Sequence, residues 1–150
     1  MTAPAPQRNV TPGWFTRRVF NPLVALLTRL GVSIKGTRIL EVRGRRSGQP
    51  RRTVVNLLTL DGTRYLVAPR GETDWVRNLR AADGTATLRL GRRREDVAAT
   101  ELPDAAKVPV LRAYLEAWAW EVGRFFEGLS ARSTDAELEA AAGRFPVFRL

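Results

Sequence analysis

The stretch RRTVVNLLTLDGTRYLVAP, residues 51–69, holds two apolar, branched runs separated by Asp-Gly. Both turn residues tolerate positive φ, so Asp61-Gly62 between such runs signals a β-hairpin. Arg51–Leu60 reads as one strand and Thr63–Pro69 as its return. Upstream, TRILEVRG (Thr37–Gly44) reads as a further strand. Downstream, TATLRL (Thr85–Leu90) alternates with Ala86, Leu88 and Leu90 inward, and RREDVAATEL (Arg93–Leu102) follows as one polar edge strand. Between these, Thr73 or Asp74 is placed to cap a short helix, Trp75–Ala82, ended by Asp83-Gly84.

From Pro103 to Phe126 the period becomes helical. Leu111, Tyr114, Leu115, Trp118, Val122, Phe125 and Phe126 share one face, and Pro109 is expected to break or kink the first turns. STDAELEAAAGRF reads as another short helix, with Ser133 as cap, Glu137 in the capping-box neighbourhood and Gly143 as its stop. FPVFRL is a last strand. This order predicts an α+β protein: a small antiparallel barrel with helices packed outside. The strands do not alternate with helices, which argues against a doubly wound sheet. One domain over residues 13–150 is expected, preceded by a flexible, Pro- and Ala-rich N-terminus at 1–12.

Within GWFTRRVFNPLVALLTRLGV, Phe20, Leu23, Leu27 and Leu30 fall on one face of an amphipathic helix. Its apolar run is far short of the roughly 20 residues that span a bilayer. Residues 14–31 therefore either dock on the core or lie peripherally on an anionic membrane surface. No cleavable signal peptide is read, and a cytoplasmic protein, at most peripheral at the inner membrane face, is expected.

The net charge of +10 draws anions, and its excess is almost all arginine, since Lys35 and Lys107 are the only lysines. The chain has no cysteine and no histidine. That excludes disulfides, thiolate nucleophiles, Ser-His-Asp machinery and metal sites built on those ligands. An enzyme of this composition would leave the hard chemistry to a bound organic cofactor, the protein supplying position and electrostatics.

The basic connection GRRSGQPRR (Gly44–Arg52) stands between the first two strands. Gly44 and Gly48 let the backbone turn with its N–H groups outward, Arg45, Arg46, Arg51 and Arg52 can ring an anion, and Ser47 adds a hydroxyl. The spacing is not that of a P-loop, and a solvated charged turn is the alternative. Antiparallel pairing brings Val67–Arg70 back beside Arg51–Val55, so Arg70 meets the loop at one end of the hairpin. Arg92–Arg94 reads as a solvated turn.

Residues 40–82, LEVRGRRSGQPRRTVVNLLTLDGTRYLVAPRGETDWVRNLRA, resemble the core of the deazaflavin-dependent nitroreductase and quinone reductase family of actinobacteria. The resemblance lies in G-R-x-[ST]-G-x-P-R, the D-G hairpin, a small-residue–basic–Gly segment and W-x-x-N-L, in that order. It implies a split β-barrel, as in flavin reductases and pyridoxamine-phosphate oxidases. The implied cofactor is coenzyme F-420 (8-hydroxy-5-deazaflavin), with a ribityl phosphate and an oligoglutamate tail. Carried over by motif, Arg45, Arg46 and Ser47 would hold the acidic part. Arg52, Thr53, Val54 and Val55 would run along the deazaflavin, faced by Val67, Ala68, Pro69 and Arg70. Asp74, Trp75 and Asn78 would close the site.

The implied reaction is hydride transfer between the deazaflavin and a small hydrophobic acceptor, quinone-like, nitro or enone. The chain departs from the family at Pro69-Arg70, where Ser-Lys is usual, and lacks the C-terminal tyrosines that cover the substrate. Tyr114, Trp118 and Phe125 are the residues left for the acceptor side. A lipid or apolar-ligand binder on the same fold, with the Leu111–Phe126 stripe lining its cavity, is the non-enzymatic alternative. Fold analogy suggests a homodimer. Nucleic acid is not an expected partner, since no recognition motif accompanies the charge.

Overall fold

Val54, Val55, Leu57 and Leu58 carry the chain through an eleven-residue strand, β2 (Pro50–Leu60). A computed structural model, which describes residues 36–150 apart from the side chains of Trp120 and Glu121, puts this strand fourth of seven in an antiparallel sheet. Its first half pairs with β1 (Thr37–Arg43) and its second half with β3 (Thr63–Val67). Asp61 and Gly62 take φ of 51° and 78°, as a two-residue hairpin turn requires. β4 (Thr85–Leu90) adds to β1, and β5 (Arg93–Ala98) to β4. On the other flank β7 (Val147–Arg149) adds to β3, and β6 (Thr100–Glu101) to β7. The expected N-terminal helix over 14–31 and the loose residues 1–12 lie outside the described residues.

RREDVAATEL is not one strand. It breaks at Ala99, so that β5 lies on one edge of the sheet and β6 on the other. The sheet therefore curls until its two edges meet across a single residue. Gly84 makes room for that link: a Cβ there would stand 2.0 Å from the Ala99 carbonyl oxygen, and the Ala99 N–H donates to the Gly84 oxygen at 2.8 Å. The break was not readable because a strand exposed on both faces has no apolar alternation to mark its register. A two-pronged pair from Arg64 to Glu95, at 2.7 and 2.6 Å, also ties β3 to β5 although they are not neighbours in the sheet.

Among the described residues two apolar clusters form the core. In the first, α1 (Asp74–Ala81) buries Val76 and Leu79 against Leu40, Val42, Val55, Leu66, Ala86 and Leu88 of the sheet. In the second, α2 (Val108–Val122) and the 3-10 turn Gly123–Phe126 pack against α3 (Asp135–Ala141), Phe145 and Val147. Phe126 stacks on Phe145 with ring centroids 4.2 Å apart, an arrangement worth about 0.5–1.5 kcal/mol beyond the area buried. Pro109 does not break α2, because it falls in the first turn, where an amide proton has no intrahelical partner. The helix departs from regular geometry at Trp118 instead (φ −132°, ψ 16°).

The cap of α3 is Thr134 rather than Ser133. Thr134 Oγ1 accepts from the Glu137 N–H at 3.1 Å, and Glu137 Oε1 accepts from the Thr134 N–H at 3.1 Å. Ser133 Oγ is used in the preceding turn, accepting from the Ser130 N–H at 2.9 Å.

Candidate functional site

The basic loop is a closed turn between β1 and β2. The Gly44 N–H donates to the Gln49 oxygen at 2.8 Å, the Gly48 N–H to the Gly44 oxygen at 2.9 Å, and the Gln49 N–H to Ser47 Oγ at 3.2 Å. The Arg45 N–H donates to Asn78 Oδ1 at 3.1 Å. The backbone donors that the sequence led us to expect facing outward are thus mostly spent inside the protein. Two glycines permit this: Gly48 has φ +71°, and a Cβ on Gly44 would meet Ser47 Oγ at 2.7 Å. What the loop offers an anion is its guanidinium groups.

Those groups line a cleft of about 680 Å³ between the loop, the start of β2, Arg70 and the N-terminus of α1. Of the residues carried over from the family, Arg45, Arg46, Ser47, Arg52, Thr53, Arg70, Asp74, Trp75 and Asn78 line it. Val54, Val55, Val67, Ala68 and Pro69 do not. Val55, Val67 and Ala68 are core residues. The β2–β3 ladder ends at Leu57 opposite Leu66, short of the pairing expected between Arg51–Val55 and Val67–Arg70. Val67 pairs with Val147 instead, and the Ala68 N–H donates to the Pro146 oxygen at 2.9 Å.

Tyr114, Trp118 and Phe125 do not line the cleft either. They are buried in the second cluster, where the Tyr114 and Trp118 rings lie 5.1 Å apart, because the apolar face of α2 is turned to α3 and β7. The helical stripe marked core. Val42, Gly44, Arg51 and Thr73 complete the lining. Thr73 precedes α1 without capping it, and its buried hydroxyl has no hydrogen-bond partner among the described residues.

The arginines differ in their attachments. Arg45 Nη1 donates to Asn78 Oδ1 at 2.8 Å and its Nη2 lies 3.3 Å from Asp74 Oδ1. Arg52 Nε donates to Glu41 Oε2 at 3.1 Å, an oxygen that also accepts from Arg89 Nη1 at 3.0 Å. Burial opposes ionisation of Glu41, but the hydrogen bonds from Arg89 and Arg52 outweigh it and hold the carboxyl below its usual range. This pairing was latent in the register, where Glu41 faces Arg52 directly. Arg46 and Arg51 have no carboxylate partner among the described residues and are exposed. Asp74 is the one acid lining the cleft among the described residues, and it is paired with Arg45. A concave surface lined so strongly by one sign of charge concentrates anions. Among the described residues no cluster of acids could hold a metal ion.

The half-barrel carries an arginine-lined cleft whose charge suits an anionic ligand. The model of the F-420H(2)-dependent quinone reductase family matches residues 15–122, and the chain belongs to that family. It is accordingly an oxidoreductase whose cofactor is coenzyme F-420. Among solved structures, one described as a domain-swapped dimer is similar with a TM-score of 0.55 at 18% identity, over 91% of this chain and 96% of that one. The conserved hypothetical protein Rv2991 from Mycobacterium tuberculosis gives 0.51 at 15% identity, over 97% and 84%. An F-420-H(2) dependent reductase, FDR-A, gives 0.50 at 20% identity, over 79% and 98%. At such identities the likeness is one of fold. No curated protein matches the chain.

Proposed function

We propose that this cleft holds coenzyme F-420 and that the protein uses it to reduce a small hydrophobic acceptor, quinone-like in the first instance and nitro or enone in the second. One observation carries the reading: Arg45, Arg46, Arg51, Arg52 and Arg70 line the cleft, and Asp74, its one acid among the described residues, is already paired. Guanidinium forks match phosphate and carboxylate oxygens, so the donor set fits a cofactor with a phosphate and a glutamate tail. Arg46 and Arg51, exposed and without carboxylate partners among the described residues, take the acidic groups. Arg52, half-compensated by Glu41, and Arg45, held by α1, shape the wall. Trp75 gives that wall a flat apolar face on which a ring system can rest.

When bound, the deazaflavin supplies the hydride. The chain's own task is to orient it, to keep water from the reacting carbon and to hold the acceptor beside it. With no histidine or cysteine in the sequence, the proton that follows comes from a hydroxyl or from water. A lipid-soluble acceptor suits peripheral contact with the inner membrane face through residues 14–31, which the basic and apolar sequence there supports. No described helix is long and apolar enough to cross a membrane. The likeness to a structure described as a domain-swapped dimer supports homodimerisation.

Titration with oxidised coenzyme F-420, followed by its fluorescence, tests the assignment against flavin mononucleotide as comparator. Arg46→Ala and Arg51→Ala should each weaken F-420 binding about tenfold, the loss of one charge-assisted hydrogen bond. Tighter binding of flavin mononucleotide, or unchanged F-420 affinity in both variants, would overturn it.

A further inference from the structure

We propose that Asn78 is a positioning residue, which fastens the Gly44–Gln49 loop to α1 by way of Arg45 and so sets where Arg46 stands in the cleft. The inference rests on reading the cleft as the cofactor site, but its grounds lie in the protein alone. The hydrogen bonds inside the loop, from Gly44 to Gln49 and from Gly48 to Gly44, fix its shape. They do not fix its direction, and GRRSGQ has no apolar side chain to dock it on the core. Its direction comes from α1: Asn78 Oδ1 accepts both from the Arg45 N–H at 3.1 Å and from Arg45 Nη1 at 2.8 Å, across 33 residues of sequence.

Both partners are donors, so the amide must turn its oxygen to them. An amide oxygen has two lone pairs, and Arg45 takes both. Asn78 Oδ1 therefore has no capacity left for a ligand. Asn78 is 4% exposed, between Val76 and Leu79 at 0%, which makes α1 a rigid reference. Asp74 adds a contact to Arg45 at 3.3 Å, but at 88% exposure that pair is screened and contributes little. The clamp is thus Asn78's, and it joins the two walls of the cleft.

The test uses the full chain without ligand and then with coenzyme F-420. In the free wild type the Arg45 amide should be protected from hydrogen exchange. In Asn78→Ala it should exchange at least about tenfold faster, the loss of one hydrogen bond, while the Leu40 and Leu88 amides keep their protection. Asn78→Asp, which keeps an oxygen at the same place, should restore it. Should Asn78→Ala not fold, Asn78→Leu fills the space without an acceptor and takes its place. For F-420 binding, Asn78→Ala and Arg45→Ala should each weaken affinity by about tenfold, and the double variant should be no weaker than the weaker single one. An unchanged Arg45 amide in Asn78→Ala overturns the proposal. So do costs that add in the double variant, which would mean that Asn78 meets the cofactor independently. If the wild type itself fails to bind F-420, the cofactor reading falls, and the amide exchange alone decides the clamp.

Discussion

Replacing Gly84 by alanine tests how the sheet closes. Gly84 has φ +82°, and a Cβ there would come within 2.0 Å of the Ala99 oxygen, 2.9 Å of its carbonyl carbon and 3.0 Å of its nitrogen. All three are backbone atoms at the link between β5 and β6, so no side-chain rotation relieves the overlap. Two costs follow. Holding an L-residue at positive φ costs about 1–2 kcal/mol. Separating the two backbones breaks the 2.8 Å bond from the Ala99 N–H to the Gly84 oxygen, and stranding its donor and acceptor costs about 1–3 kcal/mol more. Gly62→Ala is the internal control: its φ is +78°, but nothing lies within 4 Å of the added Cβ. It bears the first cost alone. In urea unfolding followed by circular dichroism, with a slope of about 2 kcal/mol/M, Gly84→Ala should lower the midpoint by about 1–2.5 M and Gly62→Ala by about 0.5–1 M. Equal shifts would refute the reasoning, since the approach of Gly84 to Ala99 would then contribute nothing.

Other expectations follow from the same contacts. The Glu41 carboxyl lies below its unfolded range, so the folded state binds fewer protons there; that stability is present above the unfolded pKa and lost as pH falls through the folded one. Glu41→Gln should therefore flatten the acid side of the pH–stability curve while lowering stability at neutral pH by about 1–3 kcal/mol; an unchanged acid limb would contradict the pairing with Arg89 and Arg52. Thr134→Ala should cost about 0.5–2 kcal/mol in thermal unfolding and Ser133→Ala clearly less; the reverse order would return the cap to Ser133. Trp118→Ala should cost about 3–5 kcal/mol yet leave F-420 affinity and acceptor KM unchanged wherever the variant remains folded. A selective rise in KM would instead give α2 a role at the acceptor.

The hairpin, the first strand, α1 and the last strand were legible because each has a local signature: Asp-Gly between apolar runs, a short branched or apolar run, or an apolar pair at helical spacing. The meeting of Arg70 with the basic loop was legible too, although the ladder that suggested it stops at Leu57 opposite Leu66. The break at Ala99 was hidden, since Arg93, Arg94, Glu95 and Asp96 are exposed on both faces and give no sign of which sheet edge they join. The same reasoning explains the aromatic stripe. Tyr114, Trp118 and Phe125 have the right chemistry to face a flat acceptor, but a helix with one apolar face buries it against the nearest apolar surface, and here that is Phe145, Val147 and α3. The Arg45–Asn78 contact joins residues that only tertiary structure brings together, so no spacing rule could find it.

The single-residue link at Ala99 also dictates an order of assembly. β6 pairs with β7 and, among the described residues, with no other strand, and β7 in turn completes β3. During synthesis the chain can form the sheet from β5 through β3 as soon as those residues emerge, with Thr100 and Glu101 already delivered to the far side. Until Val147–Arg149 arrive, both β3 and β6 keep an edge unpaired among the described residues, open to any other strand that passes. The interval between making Glu101 and making Arg149 is therefore when a nascent molecule is most exposed to pairing with a neighbour, and α2 and α3, whose apolar faces need Phe145 and Val147, wait through the same interval.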